Sequence, residues 1–179
     1  MKEITKRGLT VWKTISIGGG TPEELSTKVA RSCERVGYNA KFLMKEMEVS
    51  SPTSNIDLVV LTLDELGFTF NPSTDAFMTR EFCTKWSEEN LDGCFIELCE
   101  AEDGPQLREQ YQDQQKYEVL TMVMERISDP GGYKRVFVVE RLGSGDRCLD
   151  TDWMRPNTLW SLDTRVVYRF RKLPLPTVS

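Results

Sequence analysis

The spacing of apolar residues changes near the middle of the chain, from helical periods to alternation. Leu25, Val29, Cys33 and Val36 recur every three or four positions and predict a helix over Pro22–Val36. Thr21, Pro22 and Glu24 supply its N-cap, first helical position and capping-box carboxylate, and Gly37 is placed to close it. A second, short helix is predicted from Asn39, turning Ala40, Leu43, Met44 and Met47 inward. Met78, Phe82 and Trp86 then repeat every four positions, with Phe77 and Cys83 beside them, which predicts a helix from Asp75 to Asn90 with a buried stripe. Strands interrupt this half twice. Leu9–Ile17, LTVWKTISI, alternates and is rich in β-branched residues, whereas Ile56–Leu63 is a continuous apolar run of the kind buried on both faces. Thr62–Gly67 predicts a single turn closed by glycine.

The second half alternates. Tyr117–Ile127, Arg135–Leu142, Arg147–Trp153 and Arg165–Lys172 are strand candidates, separated by turn signals of which Pro130-Gly131-Gly132 and Gly143-Ser144-Gly145-Asp146 are the clearest. In the last strand Val166, Tyr168 and Phe170 alternate with Val167, Arg169 and Arg171, which predicts one basic face. The two halves meet at Cys94–Tyr111, CFIELCEAEDGPQLREQY. Phe95, Ile96 and Leu98 make a short strand, Asp103-Gly104-Pro105 a turn, and Gln106–Tyr111 one or two helical turns. Leu107 and Tyr111 share a face of those turns while Arg108 points elsewhere, and Gln112–Gln115 is too polar for a core. The expected fold is α+β, a helical N-terminal part packed on a mostly antiparallel sheet formed largely by the C-terminal half. One domain over residues 1–179 is expected, helix-rich over 1–93, strand-rich over 94–172, and ending in a loose tail over 173–179.

Charge changes this picture only locally. The net charge of −5 argues against a protein built mainly to neutralise phosphates. Glu81–Glu118 carries three basic and eleven acidic residues, a net of −8, while Lys134–Lys172 carries nine basic and five acidic, a net of +4. Either the two regions offset each other within the fold, or the C-terminal sheet offers a basic surface to an anionic partner. The five cysteines are odd in number and lack framework spacing, Met1–Gly8 is polar, and no apolar run is long enough to span a bilayer. Free thiols in a reducing cytoplasm are therefore expected, with no membrane partner.

Histidine is absent, which removes Ser-His-Asp and Cys-His nucleophile systems, histidine acid–base catalysis and the HExxH zinc site. No Walker loop, GxGxxG fingerprint, CxxC pair or EF-hand loop occurs, and neither cofactor nor metal is expected. The glycine loop Gly18-Gly19-Gly20 before a helix start lacks a following Lys-Ser/Thr and is met by Glu23 and Glu24, so a turn is expected rather than a phosphate site. The two N-terminal helices, joined by a tight turn containing glycine, invite a helix-turn-helix reading, but the second exposes only Lys41 and Lys45, offset by Glu46 and Glu48, and nucleic acid is not the expected partner. Carboxylate-only chemistry stays open, with Asp146, Asp150 and Asp152 the best acidic cluster, readable as solvated turn charge or as a metal or acid–base site. Aromatic and basic residues interleave in Tyr133, Arg141, Trp153, Arg155, Trp160, Tyr168 and Arg169, a pattern that fits bases, sugars, a protein partner or simply a small core.

Several stretches, in order, resemble a family of uncharacterised bacterial proteins. They include Val11–Ile15, Ile56–Gly67, Gly104–Arg108 with Gln110-Tyr111 and Asp113-Gln114, Phe137–Arg141, and Trp160–Lys172. Resembling sequences tend to read CPAEVGPQLRLQY and DQPxGEW where this chain has Glu100, Asp103, Glu109, Gln115, Tyr117 and Val119. The resemblance implies a bacterial cytoplasmic protein and no catalytic residue. The expectation is a non-enzymatic binding or protein-interaction module using Arg108, Gln110, Tyr111, Asp113, Arg141, Trp153 and Trp160. The alternative is a histidine-free enzyme acting on a carbohydrate or nucleotide through Asp113, Asp146 or Asp152.

Overall fold

A computed structural model describes residues 8–173. In chain order it contains β1 (Lys13–Ile17), α1 (Pro22–Ser32), β2 (Arg35–Val36), α2 (Tyr38–Glu46), β3 (Ser54–Thr62), a 3-10 turn (Thr74–Ala76), α3 (Arg80–Asn90) and β4 (Cys94–Glu97). There follow α4 (Asp103–Gln110), β5 (Val119–Met122), β6 (Ile127–Ser128), β7 (Lys134–Arg141), β8 (Arg147–Trp153) and β9 (Arg165–Lys172). The nine strands form one sheet in the order β1-β3-β9-β5-β7-β8-β2, with β4 pairing on β9 and β6 on β7. Of the tail expected over 173–179, all but Leu173 lies outside the described residues.

The α+β class holds, but a mostly antiparallel sheet does not: the sheet is mixed. β5 runs parallel to β9, and β2 runs parallel to β8. The cause is the position of β9. This late strand inserts between β3, its antiparallel neighbour from Asp57↔Phe170 to Thr62↔Arg165, and β5, so it joins a flank from the first half to one from the second. Sitting centrally, β3 and β9 are buried on both faces, with Leu58, Val59, Leu61, Val166, Val167 and Tyr168 all in the core.

Local chemistry accounts for the element boundaries. At α1 the capping box forms as expected, Thr21 accepting from Glu24 N–H while the Glu24 carboxylate accepts from Thr21 N–H. The helix stops at Ser32 rather than Val36, because the next backbone groups pair with β8: Glu34 N–H donates to Arg147 O and Gly37 N–H to Leu149 O. Gly37 therefore precedes α2 instead of closing α1. The third helix starts five residues later than expected, at Arg80, where the Thr79 side chain accepts from Phe82 N–H.

Tyr168 and Arg169 are adjacent in β9 and so point to opposite faces of the sheet. Tyr168 Oη donates to Phe77 O at 2.9 Å, which marks the face carrying the 3-10 turn. Arg169 grips Asp103 with two bonds of 2.6 and 2.8 Å, which marks the face covered by α4. A free basic face on β9 is thereby corrected. Arg165, Arg169 and Arg171 pair with Glu118, Asp103 and Glu97, so three carboxylates of the acidic stretch neutralise three arginines of the basic one.

On its side α4 lies against β1, β7 and β8, α1 packs on α4 and α2, and α3 rests on β4. The approach of α4 to the sheet requires Gly104: a methyl group there would stand 2.8 Å from Phe137 Cβ and 3.3 Å from Met122 Cγ. Gly104→Ala is expected to destabilise the fold by about 1–3 kcal/mol, measured as a lower urea midpoint with an unchanged slope.

Candidate functional site

The helix α4 is short and polar in sequence, yet Asp103, Gln106 and Arg108 are buried, as is Glu102 just before it. Such a helix is stable only if its polar groups find partners, and among its buried side-chain nitrogens and oxygens all but Arg108 Nε do. Glu102, Gln106 and Gln110 are spaced by four and share a face. Glu102 accepts from Gly18 N–H and Ser50 N–H, both at 2.9 Å, and Gln106 Nε2 donates to Glu102 at 3.4 Å. Gln110 accepts from Ser16 N–H at 2.9 Å and donates to Ser16 O at 2.8 Å. Its carboxamide stands where the peptide of a neighbouring strand would, and so occupies the edge of β1.

Arg108 does not point away from the protein, and the polar connector does not lie wholly outside it. Arg108 and Gln114 are both completely buried. The Arg108 guanidinium donates to Gln114 Oε1, Tyr111 O and Glu140 O, and Gln114 Nε2 donates to Val139 O at 3.1 Å and Glu118 O at 3.3 Å. Neutral acceptors thus hold a buried cation. Burial pushes the Arg108 guanidinium below its usual range. Tyr111 is buried beside it, edge-on to Trp12, and donates from Oη to Glu118 at 2.9 Å; burial and that carboxylate both raise its phenol. Among the expected site residues, Arg108, Gln110 and Tyr111 therefore form a positioning scaffold, while Asp113 is exposed on the loop that follows.

Asp150 and Asp152 occupy alternate positions of β8, where β2 covers only Cys148 and Leu149. Asp150 accepts from Thr151 N–H at 2.8 Å and Asp152 from Trp153 N–H at 2.7 Å. At the start of the strand, Glu34 takes Arg147 N–H at 2.6 Å and the Arg147 guanidinium at 2.7 and 3.2 Å. These carboxylates occupy backbone donors that an added strand would need. Asp146 belongs to the turn before β8, and among the described residues no group of three His, Cys, Asp or Glu side chains is arranged to hold a metal ion. Trp153 sits between Tyr133, 4.6 Å away and edge-on, and the Arg155 guanidinium, 3.7 Å from its ring centre.

Two depressions of the described surface exceed 500 Å³. The larger, about 650 Å³, lies between α3 and β4; its guanidiniums Arg80, Arg169 and Arg171 are already paired with Glu125, Asp103 and Glu97. None of the expected site residues lines it. The second, about 540 Å³, is a groove that includes Tyr117, Val119, Thr121, Asp152, Trp160 and Arg165. Thr121 pairs with Val166, two residues from Tyr168, so the groove lies on the sheet face opposite α4. Tyr117 is 79% exposed and Val119 46% exposed, the latter in a strand with neighbours on both sides.

Tyr117 is the only non-glycine with positive φ (65°) among the described residues. Its ring lies over Gly143, where a methyl group would stand 2.5 Å from the ring. Arg141 fixes both loops, donating to Gln114 O at 2.7 Å and to Gly145 O at 3.0 Å, while Tyr117 N–H donates to Arg141 O at 2.8 Å. Trp160, opposite, commits its indole N–H to Thr74 Oγ1 at 2.8 Å and packs edge-on against Phe77. Periodicity alone gives Tyr117 no distinction from any strand-initial tyrosine.

No family model, curated protein or solved structure matches the chain at a significant level.

Replacing Asp150 and Asp152 together by valine is expected to expose the edge of β8 and produce concentration-dependent association in sedimentation velocity, with no such association through this edge expected of the parent chain. Glu34 is held at about 2, against an ordinary 4.5, chiefly by its side-chain bond to Arg147. The stability it contributes is present above pH 4.5 and lost as pH falls toward 2, so denaturation midpoints across that window should fall less steeply in Glu34→Gln.

Proposed function

We propose that this protein is a non-enzymatic binding module whose ligand or partner occupies the groove between Tyr117 and Trp160. The observation that carries this reading is the exposed tyrosine at φ 65°. A backbone angle of that kind costs roughly 1–3 kcal/mol in a residue with a side chain, and here it serves no core contact. Arg141, one of the residues expected at the site, supports the platform from behind, and Trp160 forms the far wall. The carboxylate-enzyme alternative has weaker support, since of Asp113, Asp146 and Asp152 only Asp152 lines the groove.

Placement in a reducing cytoplasm belongs to the same proposal, as does bacterial origin. All five cysteines are free, and burial raises the thiols of Cys33, Cys83, Cys99 and Cys148, which makes them unreactive. No helix among the described residues is long and apolar enough to cross a membrane.

Titrating isotope-labelled protein with saccharides, nucleotides and short peptides should produce amide shifts centred on Val119, Thr121 and Arg165. Tyr117→Gly should abolish them without lowering the melting temperature, because glycine relaxes the backbone as the platform is removed. Shifts centred on the α3/β4 cleft, or surviving Tyr117→Gly, would overturn the reading.

A further inference from the structure

We infer that the groove is built for a neutral oligosaccharide, an inference that rests on the binding-module reading above. Its first support is what the groove lacks. β5, which forms its floor, is paired with β7 from Val119 to Thr121 and with β9 at Thr121 and Met122, which leaves only Val119 and Leu120 without a β9 partner, too short a ladder for a peptide strand to add. A ligand here is read chiefly by side chains.

Charge narrows the ligand further. The ionised residues around the groove are Lys116 and Arg165 against Glu118, Asp152 and Asp163, and Arg165 is already bound to Glu118. No uncompensated cluster of either sign faces the cavity. At a net of −1 the lining repels phosphates and polyanions and offers a cationic peptide only a weak attraction.

Two π surfaces and a set of fixed polar groups remain. Tyr117 offers an open ring held from behind by Gly143 and Arg141, and Trp160, whose N–H is already used, has only ring surface to offer. The C–H groups on the apolar face of a sugar ring carry slight positive charge and pack on the negative face of an aromatic ring. Thr121, Asp152 and Arg165 also line the groove, Arg165 being fixed by Glu118, a buried carboxylate that takes Tyr111 Oη with its other oxygen. The part-exposed Arg165 guanidinium has donors left over, and the exposed Asp152 carboxylate has acceptors, to meet ligand hydroxyls. A volume of about 540 Å³ suits a short run of sugar rings lying along the groove.

The test is calorimetric titration of the full chain with maltohexaose, cellohexaose, chitohexaose, a mixed oligonucleotide and a neutral peptide, each at low and high salt. The expected result is saturable binding of one of the saccharides with little salt dependence. Tyr117→Gly should weaken it by about tenfold or more, and Asp152→Asn should weaken it without unfolding, while Lys85→Ala on the exposed side of α3 leaves it unchanged. Three outcomes overturn the inference: no saccharide binding, saccharide binding indifferent to Tyr117, or affinity confined to the oligonucleotide and lost in salt. The two readings fail separately. Tyr117-dependent binding of the peptide or oligonucleotide alone removes the sugar assignment and leaves the module, whereas no ligand depending on Tyr117 removes both.

Discussion

A polar group shut away from water must be bonded where it stands, and in this fold that requirement is concentrated in one short helix. Glu102, Asp103, Gln106, Arg108 and Gln110 lie within nine residues, and together they reach the loops around β1, the edge of β1, the centre of β9 and the backbone of β7. Each bond ties α4 to a different part of the sheet. Apolar side chains could have filled the same space, but they would tolerate sliding, whereas amides, carboxylates and a guanidinium accept only a narrow range of partner positions. The register of the two flanks about β9 is thus set by hydrogen-bond geometry as much as by packing.

The groove inherits its form from this arrangement. With α4 and α1 on one side, the opposite face around β5 is left to a loop bearing Trp160 and to the connector bearing Tyr117. That connector is anchored inward by Gln114 and sideways by Arg141, so the residue after it has little freedom. Buried polar residues therefore act on the candidate site from behind, through the backbone they hold.

Much of the fold was legible in the sequence where the physics is local. The capping box at Thr21, the stripes of α1 and α2, and the bounds of β8 and β9 follow from spacing and turn residues. What was not legible depends on partners distant in the chain. Arg35 and Val36 continue a helical pattern and become a strand only because β8 lies alongside. Gln114 and Arg108 look like surface residues by type, and their burial follows from each supplying what the other needs. The seven expected site residues divide accordingly: Arg108, Gln110, Tyr111 and Arg141 hold structure, Trp153 packs with Tyr133 and Arg155, Asp113 is exposed, and Trp160 alone lines the groove.

The placement of β9 also governs when the protein can become itself. A strand that begins at Arg165 is the partner of β3, more than a hundred residues earlier, and of β4 and β5. During synthesis the apolar run of β3 is made long before its central neighbour exists, and helix α4 is complete before the arginine that neutralises Asp103. The two flanks cannot join until β9 has left the ribosome. Completion of the fold is therefore late and governed by non-local contacts, with β3 in need of shielding during the wait.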